Sequence, residues 1–243
     1  DIESPARRLS YAASFGVDEW EFTPETTARC RELAGRFDAV SVREESGVAL
    51  CQQHLGCSAE CIPDPTFLLE REDYEAVIDT NPAPDNQGKV LAYVLDTQAS
   101  KQQIVTRVMD GLGSNSFTVK PQKSLWEVRS TNFDECLYPG VGAWLQGFRD
   151  ASFVVTDSFH GTVFSLLFNK PFIAVGNRTR GLSRFHSLLS RFGLQDRLVE
   201  NPDEITQERL KADIDWASVN RIRQQQQALG RQFLSANLKE TTP

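Results

Sequence analysis

The segment ASFVVTDSFHGTVFSLLFNKP, residues 151–171, carries the clearest indication of the fold class. Its apolar, β-branched run Phe153–Thr156 predicts a buried parallel strand. A second apolar run follows at Val163–Phe168, and a proline closes it, which predicts a helix. The segment therefore predicts a strand that leads directly into a helix, the unit from which parallel α/β sheets are built.

The junction between this strand and this helix carries side chains suited to a binding or catalytic site. Asp157 and Ser158 supply N-cap chemistry, and Gly161 permits close approach of the backbone. His160 falls in the first turn, where unpaired backbone N–H groups and the helix dipole favour a phosphate or carboxylate. A capped core helix whose histidine is merely hydrogen-bonded is the alternative interpretation.

Composition limits the classes of function. Hydrophobic residues make up 40% and charged residues 24% of the chain, which is typical of a soluble globular protein. The formal net charge of −7 argues against a general nucleic-acid binder. No apolar run is long enough to cross a bilayer, and no signal-peptide pattern opens the chain. An odd number of cysteines without a CxxC pair favours a reducing compartment, so we expect a cytoplasmic protein.

Four potential metal ligands lie close together in sequence, Cys51, His54, Cys57 and Cys61. Their types are those of zinc sites. However, the stretch from Ser46 to His54 predicts a helix, and a predicted strand begins at Cys61, which would separate the ligands. We therefore expect no metal.

Strands and helices alternate along the chain, as in a mainly parallel sheet that helices cover on both faces. The polar segment 80–88 contains two prolines, ends in glycine and predicts a linker. We expect residues 1–79 to form the end of one Rossmann-like unit, and residues 89–243 a second unit with closing helices. Because the chain opens on Asp1 almost directly before a predicted strand, we expect the first unit to be incomplete. Within the closing helices, the run 223–228 predicts an exposed face.

Four arginines crowd the segment after the predicted strand Phe172–Val175, namely Arg178, Arg180, Arg184 and Arg191. Local positive charge on an acidic protein suits a small polyanion. A solvated helix face is the alternative.

The pattern TDSFHG at 156–161 resembles the signature of the polysaccharide pyruvyl transferase family. The resemblance continues in order through RRLSYAASFG at 7–16, SVRE at 41–44, PDPT at 63–66, YVLD at 93–96 and NRTRGLSRF at 177–185. Many members carry Arg-Leu before the histidine, whereas this chain has Ser158 and Phe159. No arginine is therefore carried over to that position.

This resemblance implies a glycosyltransferase-B-like fold, with two Rossmann-like parallel-sheet units that face each other across a cleft. It implies phosphoenolpyruvate as co-substrate, without another cofactor, and a saccharide or lipid-linked sugar as acceptor. The product would be a pyruvate ketal in polysaccharide or exopolysaccharide biosynthesis, and the acceptor would bring the enzyme to the inner face of the membrane as a peripheral protein. A glycosyltransferase of the same fold that uses a nucleotide-sugar donor is the alternative, and a binding domain that has lost its chemistry is a third.

The family's chemistry gives His160 the role of general acid, because an imidazole can hold and release a proton near neutral pH. Arg43, Arg178 and Arg180 are candidates to bind the donor, since a guanidinium pairs well with phosphate and carboxylate. Arg43 is alternatively a surface or helix-capping residue. His186 either packs in its amphipathic helix or reaches the cleft.

The remaining candidates for substrate contact share a place near the carboxyl end of a predicted strand, where open α/β sheets bind ligands: Ser14, Asp96, Asp157, Ser158, Gly161 and Thr162. Ser158 and Thr162 offer hydroxyl groups. Asp157 either orients His160 or caps the helix, and capping is the preferred interpretation. Ser14 either lines the cleft from the first unit or belongs to a simple βα turn.

Overall fold

Two parallel β-sheets organise the computed structural model, which describes residues 6–79, 86, 88–121, 123, 127, 133–176 and 181–238. The first sheet has the strand order β1-β2-β3, with β1 at Leu9–Ala13, β2 at Ala39–Val42 and β3 at Glu60–Cys61. The second has the order β5-β4-β6-β7-β8, with β4 at Val90–Tyr93, β5 at Ser116–Phe117, β6 at Phe153–Thr156, β7 at Phe172–Val175 and β8 at Leu198–Val199. Every pairing in both sheets is parallel. The predicted α/β class with two parallel-sheet units is confirmed.

Helices connect these strands: α1 at Pro24–Ala34, α2 at Glu45–Leu50, α3 at Arg71–Asp79, α4 at Ala99–Leu112, α5 at Val141–Asp150, α6 at Phe159–Leu167, α7 at Ser183–Phe192, α8 at Gln207–Lys211 and α9 at Trp216–Leu238. A π-helical turn, Cys51–Leu55, continues α2. Short 3-10 helices occupy Pro65–Leu68, Phe133–Cys136, Gln195–Arg197 and Pro202–Glu204. Helices α4 and α7 both end at a glycine in the left-handed conformation, Gly113 and Gly193, where a side chain would be strained.

The described residues form two compact units that are discontinuous in sequence. The first comprises the described residues of 1–69, 177–195 and 217–243, and the second those of 70–176 and 196–216. Helix α3 belongs to the second unit, where the Tyr74 ring packs edge-on against Phe164. Helix α9 packs on the first unit, where the ring of Phe233 lies edge-on to the ring of Tyr11. The segment 80–88 lies mostly outside the described residues, and its role as a linker stays a prediction.

The centre of the second sheet explains why its strands lack alternation in the sequence. All residues of β6 and β7 are buried, because helices cover both faces of the sheet. Residues of α4, among them Ile104 and Val108, pack with these strands in one core cluster. Strand β6, which precedes the histidine, is therefore held rigidly from both sides.

The run 223–228 of α9 is not a wholly exposed face, so this prediction is wrong in part. Arg223, Gln226 and Gln227 are buried. Gln227 Nε2 donates to the carbonyl of Leu68, and Gln226 Oε1 accepts from Arg191. Polar side chains with such partners can be buried at little cost, which a hydrophobic pattern does not reveal.

Candidate functional site

The junction after β6 has the predicted strand-to-helix form, with Ser158 as the N-cap of α6. Its Oγ accepts a hydrogen bond from the backbone N–H of Gly161 at 3.3 Å. Its own N–H donates to Thr156 Oγ1 at 3.1 Å, and this hydroxyl donates to the carbonyl of Tyr93 at 2.8 Å. Capping by Asp157 was the wrong interpretation, because Ser158 fills that role.

Gly161 lies where the helix passes close to the preceding strand. A Cβ atom at this position would lie 2.2 Å from Thr156 Oγ1 and 3.0 Å from Thr156 Cβ. Both distances are shorter than van der Waals contact allows, so only glycine fits. A close approach at Gly161 is thus observed, and the group that lies against its backbone is the side chain of Thr156.

His160 is the second residue of α6, and its side chain is exposed. The imidazole lies edge-on to the ring of buried Phe159, with centroids 5.5 Å apart. The histidine is therefore not part of the core. It stands at the N-terminal end of a helix, where backbone N–H groups and the helix dipole favour an anion.

Asp157 connects this junction to the loop after β4. Its Oδ1 accepts from the N–H of Leu95 at 2.6 Å, and its Oδ2 accepts from the N–H of Asp96 at 3.2 Å. Lys101 Nζ lies 2.6 Å from Asp157 Oδ2 and 2.6 Å from Asp96 Oδ2. Asp157 and Lys101 are 7% and 3% exposed. The cluster joins the loop after β4 to the residue that precedes the helix of His160.

Lys101 was not proposed as a site residue by sequence analysis. The lysine is the third residue of α4, near the positive end of the helix dipole, where a cation is unfavourable unless an acidic partner is near. That position was the available signal. It did not identify Asp157, which is 56 residues away.

Thr162 plays a role inside the helix. It is fully buried, and its Oγ1 donates to the carbonyl of Ser158 at 3.2 Å. It presents no surface to a ligand, which argues against the predicted substrate contact. Ser158 is partly exposed.

A second cluster lies at the carboxyl ends of the strands of the first sheet. Arg43, directly after β2, places Nη1 2.6 Å from Asp64 Oδ2, and Asp64 follows β3. Ser14, directly after β1, donates to Glu44 Oε1. Asp64 and Glu44 are almost fully buried, and the side chain of Arg43 is 15% exposed. Arg43 is thus a largely shielded ion-pair residue rather than a solvated one, and the N-cap of α2 is Glu44.

The charges of this second cluster bear on its suitability for an anion. Arg43 lies between two carboxylates, since its Nε is 3.8 Å from Glu44 Oε1. One guanidinium and two carboxylates give a formal charge of −1, which does not favour a phosphate. Donor binding by Arg43 stays a prediction without support from this geometry. Arg178 and Arg180 lie outside the described residues, and their donor-binding role also stays a prediction.

Sequence analysis quoted Glu44 and Asp64 only as parts of short motifs and did not propose them as site residues. Glu44 Oε2 has no hydrogen-bond partner among the residues that the structure describes. An incompletely satisfied buried carboxylate is costly and therefore notable at a strand end. The sequence held no sign of it, since burial of a glutamate depends on the tertiary fold.

No three His, Cys, Asp or Glu side chains of the described residues come together as a metal site. The Sγ of Cys61 instead accepts a hydrogen bond from Arg191 at 3.2 Å. Within the described part of the chain, no helix combines the length and the apolar character needed to span a membrane.

Comparison with known proteins gives one family. The family model described as polysaccharide pyruvyl transferase matches residues 3–179. Comparison with curated proteins gives no match.

Solved structures with a similar course of the chain include the wall teichoic acid polymerase TagF, at 12% identity and a TM-score of 0.41. The alignment covers 88% of this chain and 57% of the TagF chain. They also include a glycotransferase of kitacinnamycin, at 12% identity and a TM-score of 0.46. That alignment covers 88% of this chain and 60% of the glycotransferase chain. This chain thus spans roughly three fifths of the length of these structures.

Proposed function

Because this chain belongs to the polysaccharide pyruvyl transferase family, we propose that the protein is a polysaccharide-modifying transferase that forms a pyruvate ketal on a sugar. The donor is phosphoenolpyruvate, and the acceptor is a saccharide or a lipid-linked sugar. The observation that carries this proposal is exposed His160 in the first turn of α6, at the carboxyl end of β6. Ligands of open parallel sheets bind at that edge.

The reaction requires acid catalysis at carbon. A proton is added to the methylene carbon of phosphoenolpyruvate, which becomes the methyl group of the ketal, and the neighbouring carbon takes on oxocarbenium character. Two hydroxyl groups of the sugar attack this carbon, the bond to the phosphate oxygen breaks, and inorganic phosphate leaves. The two sugar hydroxyl groups lose two protons in this step. One of them makes up for the proton that was given to carbon, and the other leaves with phosphate or solvent, so that atoms and charge balance.

His160 is the proposed proton donor in this reaction. Its imidazole lies at the N-terminal end of α6, where backbone N–H groups favour the phosphate of the donor. Asp157 supports this arrangement indirectly, since its contacts with Leu95, Asp96 and Lys101 fix the residue directly before the N-cap of α6.

Phosphate release in the presence of phosphoenolpyruvate and candidate lipid-linked sugars tests the proposal, with mass spectrometry of the product. We expect release that depends on the acceptor and a three-carbon acidic group added to the sugar. Addition of a hexose from a nucleotide-sugar donor would instead identify a glycosyltransferase. Binding of phosphoenolpyruvate without turnover on any acceptor would identify a binding domain, and either result would overturn ketal formation.

A further inference from the structure

Three charged side chains form a cluster directly before the helix that carries His160. Asp96, Lys101 and Asp157 make up this Asp157 cluster, and they all belong to the second unit. The side chain of Asp157 is 1% exposed, that of Lys101 4% and that of Asp96 12%. Lys101 is therefore too deeply buried to touch a substrate, and any effect that it has on the reaction passes through its partners.

Stability alone does not account for an ion pair at this place. A buried ion pair can often be replaced by apolar side chains of similar volume without loss of stability. Lys101 is also the third residue of α4, in the first turn, where the helix dipole disfavours a cation. What charged groups add here over apolar ones is direction, because charge-assisted hydrogen bonds fix the orientation of the Asp157 carboxylate.

Both oxygens of the Asp157 carboxylate are held by donors. Oδ1 accepts from the backbone N–H of Leu95 at 2.6 Å. Oδ2 lies 2.6 Å from Lys101 Nζ and accepts from the N–H of Asp96 at 3.2 Å. The carboxylate therefore cannot rotate without breaking a hydrogen bond. Without Lys101, Oδ2 would retain the longer of these two contacts.

The fixed carboxylate sets the start of α6. Ser158, the next residue, is the N-cap, and its N–H and Oγ are engaged by Thr156 and Gly161. His160 follows two residues after the N-cap, so its place depends on the backbone that these contacts hold. A displacement of a catalytic group by about 1 Å can lower the rate by about a hundredfold. It lowers kcat more than it raises KM where several contacts share the binding of the substrate.

We propose that Lys101 is a positioning residue for the proton transfer from His160. Its ammonium group fixes Asp157, and Asp157 in turn fixes the first turn of α6, so that the imidazole meets the methylene carbon of the donor at a constant distance. The inference rests on the proposed function, because it concerns the same reaction. It gives Asp96 a place in the Asp157 cluster instead of the predicted contact with substrate.

Lys101→Met and Ile104→Ala form a matched pair of variants that tests the inference. Ile104 lies one turn further along α4 and is fully buried, but it packs in the apolar core of the second sheet. Both substitutions should lower the midpoint of urea unfolding, the first by loss of a buried cation and the second by a cavity. Turnover is compared at a temperature at which circular dichroism shows both variants to be folded.

Steady-state phosphate release separates positioning from stability. For Lys101→Met we expect kcat to fall by about tenfold to a hundredfold, with a change of less than about threefold in KM for phosphoenolpyruvate. The ratio of the rates in light and heavy water should rise, because proton transfer becomes slower. Ile104→Ala should keep kcat within about twofold of wild type. Asp157→Asn leaves Lys101 paired with Asp96, should show the same pattern as Lys101→Met, and takes its place if that variant does not fold.

NMR signals of the three histidine imidazoles give a second readout that needs no turnover. His160 lies edge-on to the ring of Phe159, so its chemical shift responds to the orientation of the first turn of α6. Lys101→Met should shift or broaden the signal of His160. The signals of His54 and His186, which belong to the first unit, should not change. Ile104→Ala should leave all of these signals unchanged.

Wild-type kcat and an unchanged His160 signal in folded Lys101→Met and Asp157→Asn would overturn the inference. An equal loss of kcat in Ile104→Ala would also overturn it, because turnover would then follow stability. A rise in KM without a fall in kcat would do the same, because it would show a role in binding. Failure of the proposed function would appear separately, as absent phosphate release by the wild type with every acceptor. The histidine signals would then still decide whether Lys101 positions His160.

Discussion

Lys101 Nζ lies 2.6 Å from Asp157 Oδ2, although 56 positions separate the two residues in sequence. The same nitrogen lies 2.6 Å from Asp96 Oδ2, and the side chains of Lys101 and Asp157 are almost fully buried. The lysine thus pairs with one buried carboxylate, Asp157, and with the partly exposed carboxylate of Asp96, at the edge of the sheet where His160 is exposed. Its loss would remove the ammonium group from buried Asp157.

Lys101→Met should therefore be strongly destabilising. Methionine retains most of the volume but removes the ammonium group that pairs with the buried carboxylate of Asp157, for which we expect a loss of about 3–5 kcal/mol in the free energy of unfolding. Urea denaturation measures it. Lys89→Met, at an exposed lysine of the same unit, is the control and should change stability by less than about 0.5 kcal/mol. Equal effects of the two substitutions would show that the buried ion pair contributes nothing.

Local features of the His160 junction could be predicted from sequence because each depends on neighbouring residues. The apolar run 153–156 formed β6, and Ser158 caps α6 through Gly161, three residues later. Gly161 itself was identified because glycine permits a close approach where a strand turns directly into a helix, although the group that it approaches is the side chain of Thr156. Such signals do not require knowledge of the rest of the fold.

Features that depend on distant partners could not be predicted in the same way. The pairing of Arg43 with Asp64 joins the ends of two strands, and burial of Gln227 depends on a carbonyl 159 residues away. Sequence analysis also favoured capping for Asp157, since the N-cap preference of aspartate is known, whereas its backbone partners at Leu95 and Asp96 come from another loop. Charge alone does not reveal which carboxylate a cation will meet.

Gly161→Ala should disturb the junction that holds His160. The added methyl group would lie 2.2 Å from Thr156 Oγ1, so either the helix or the hydroxyl that binds the carbonyl of Tyr93 must move. We expect destabilisation by about 1–3 kcal/mol, measured by thermal or urea unfolding. Gly35→Ala is the control, because a methyl group there would make only ordinary contacts, at 3.5 and 3.6 Å from two backbone oxygens, and its φ of −64° suits alanine. Similar stability of the two variants would contradict the tight packing at Gly161.

His160→Ala should separate catalysis from folding. If the imidazole delivers the proton, turnover should fall by about two to four orders of magnitude, the usual worth of a positioned acid. The side chain is exposed, so we expect the thermal unfolding midpoint and the circular dichroism spectrum to be essentially unchanged. Steady-state phosphate release measures turnover. Near-wild-type turnover in a folded variant would remove His160 from the mechanism.

Arg178→Gln and Arg180→Gln test the predicted binding of the donor by these two arginines. Both residues lie outside the described residues. If these guanidinium groups hold the phosphate and carboxylate of the donor, each substitution should weaken phosphoenolpyruvate binding by about tenfold or more at low salt. The difference from wild type should shrink as added salt screens the charges. Calorimetric titration at two ionic strengths measures both effects. Unchanged donor affinity in both variants would show that these arginines do not bind the donor, and it would favour the alternative of a solvated helix face.

Tyr11→Phe should stabilise the protein, and more so at alkaline pH. The Tyr11 hydroxyl is buried and has no hydrogen-bond partner among the described residues, so its removal should gain about 1 kcal/mol at pH 7. Burial, with a contribution from the charge of Asp64, raises the pKa of Tyr11 from 10.0 to about 12. Between these values the unfolded chain loses the phenolic proton while the folded chain keeps it, so the stability of the wild type falls as pH rises and the advantage of Tyr11→Phe grows. Urea unfolding at pH 7 and about pH 11 measures the difference in the free energy of unfolding between the variant and the wild type. Tyr138→Phe, a substitution at an exposed tyrosine, is the control. A Tyr11→Phe variant that is less stable than wild type, or whose advantage does not grow with pH, would show that the hydroxyl has a partner in solution.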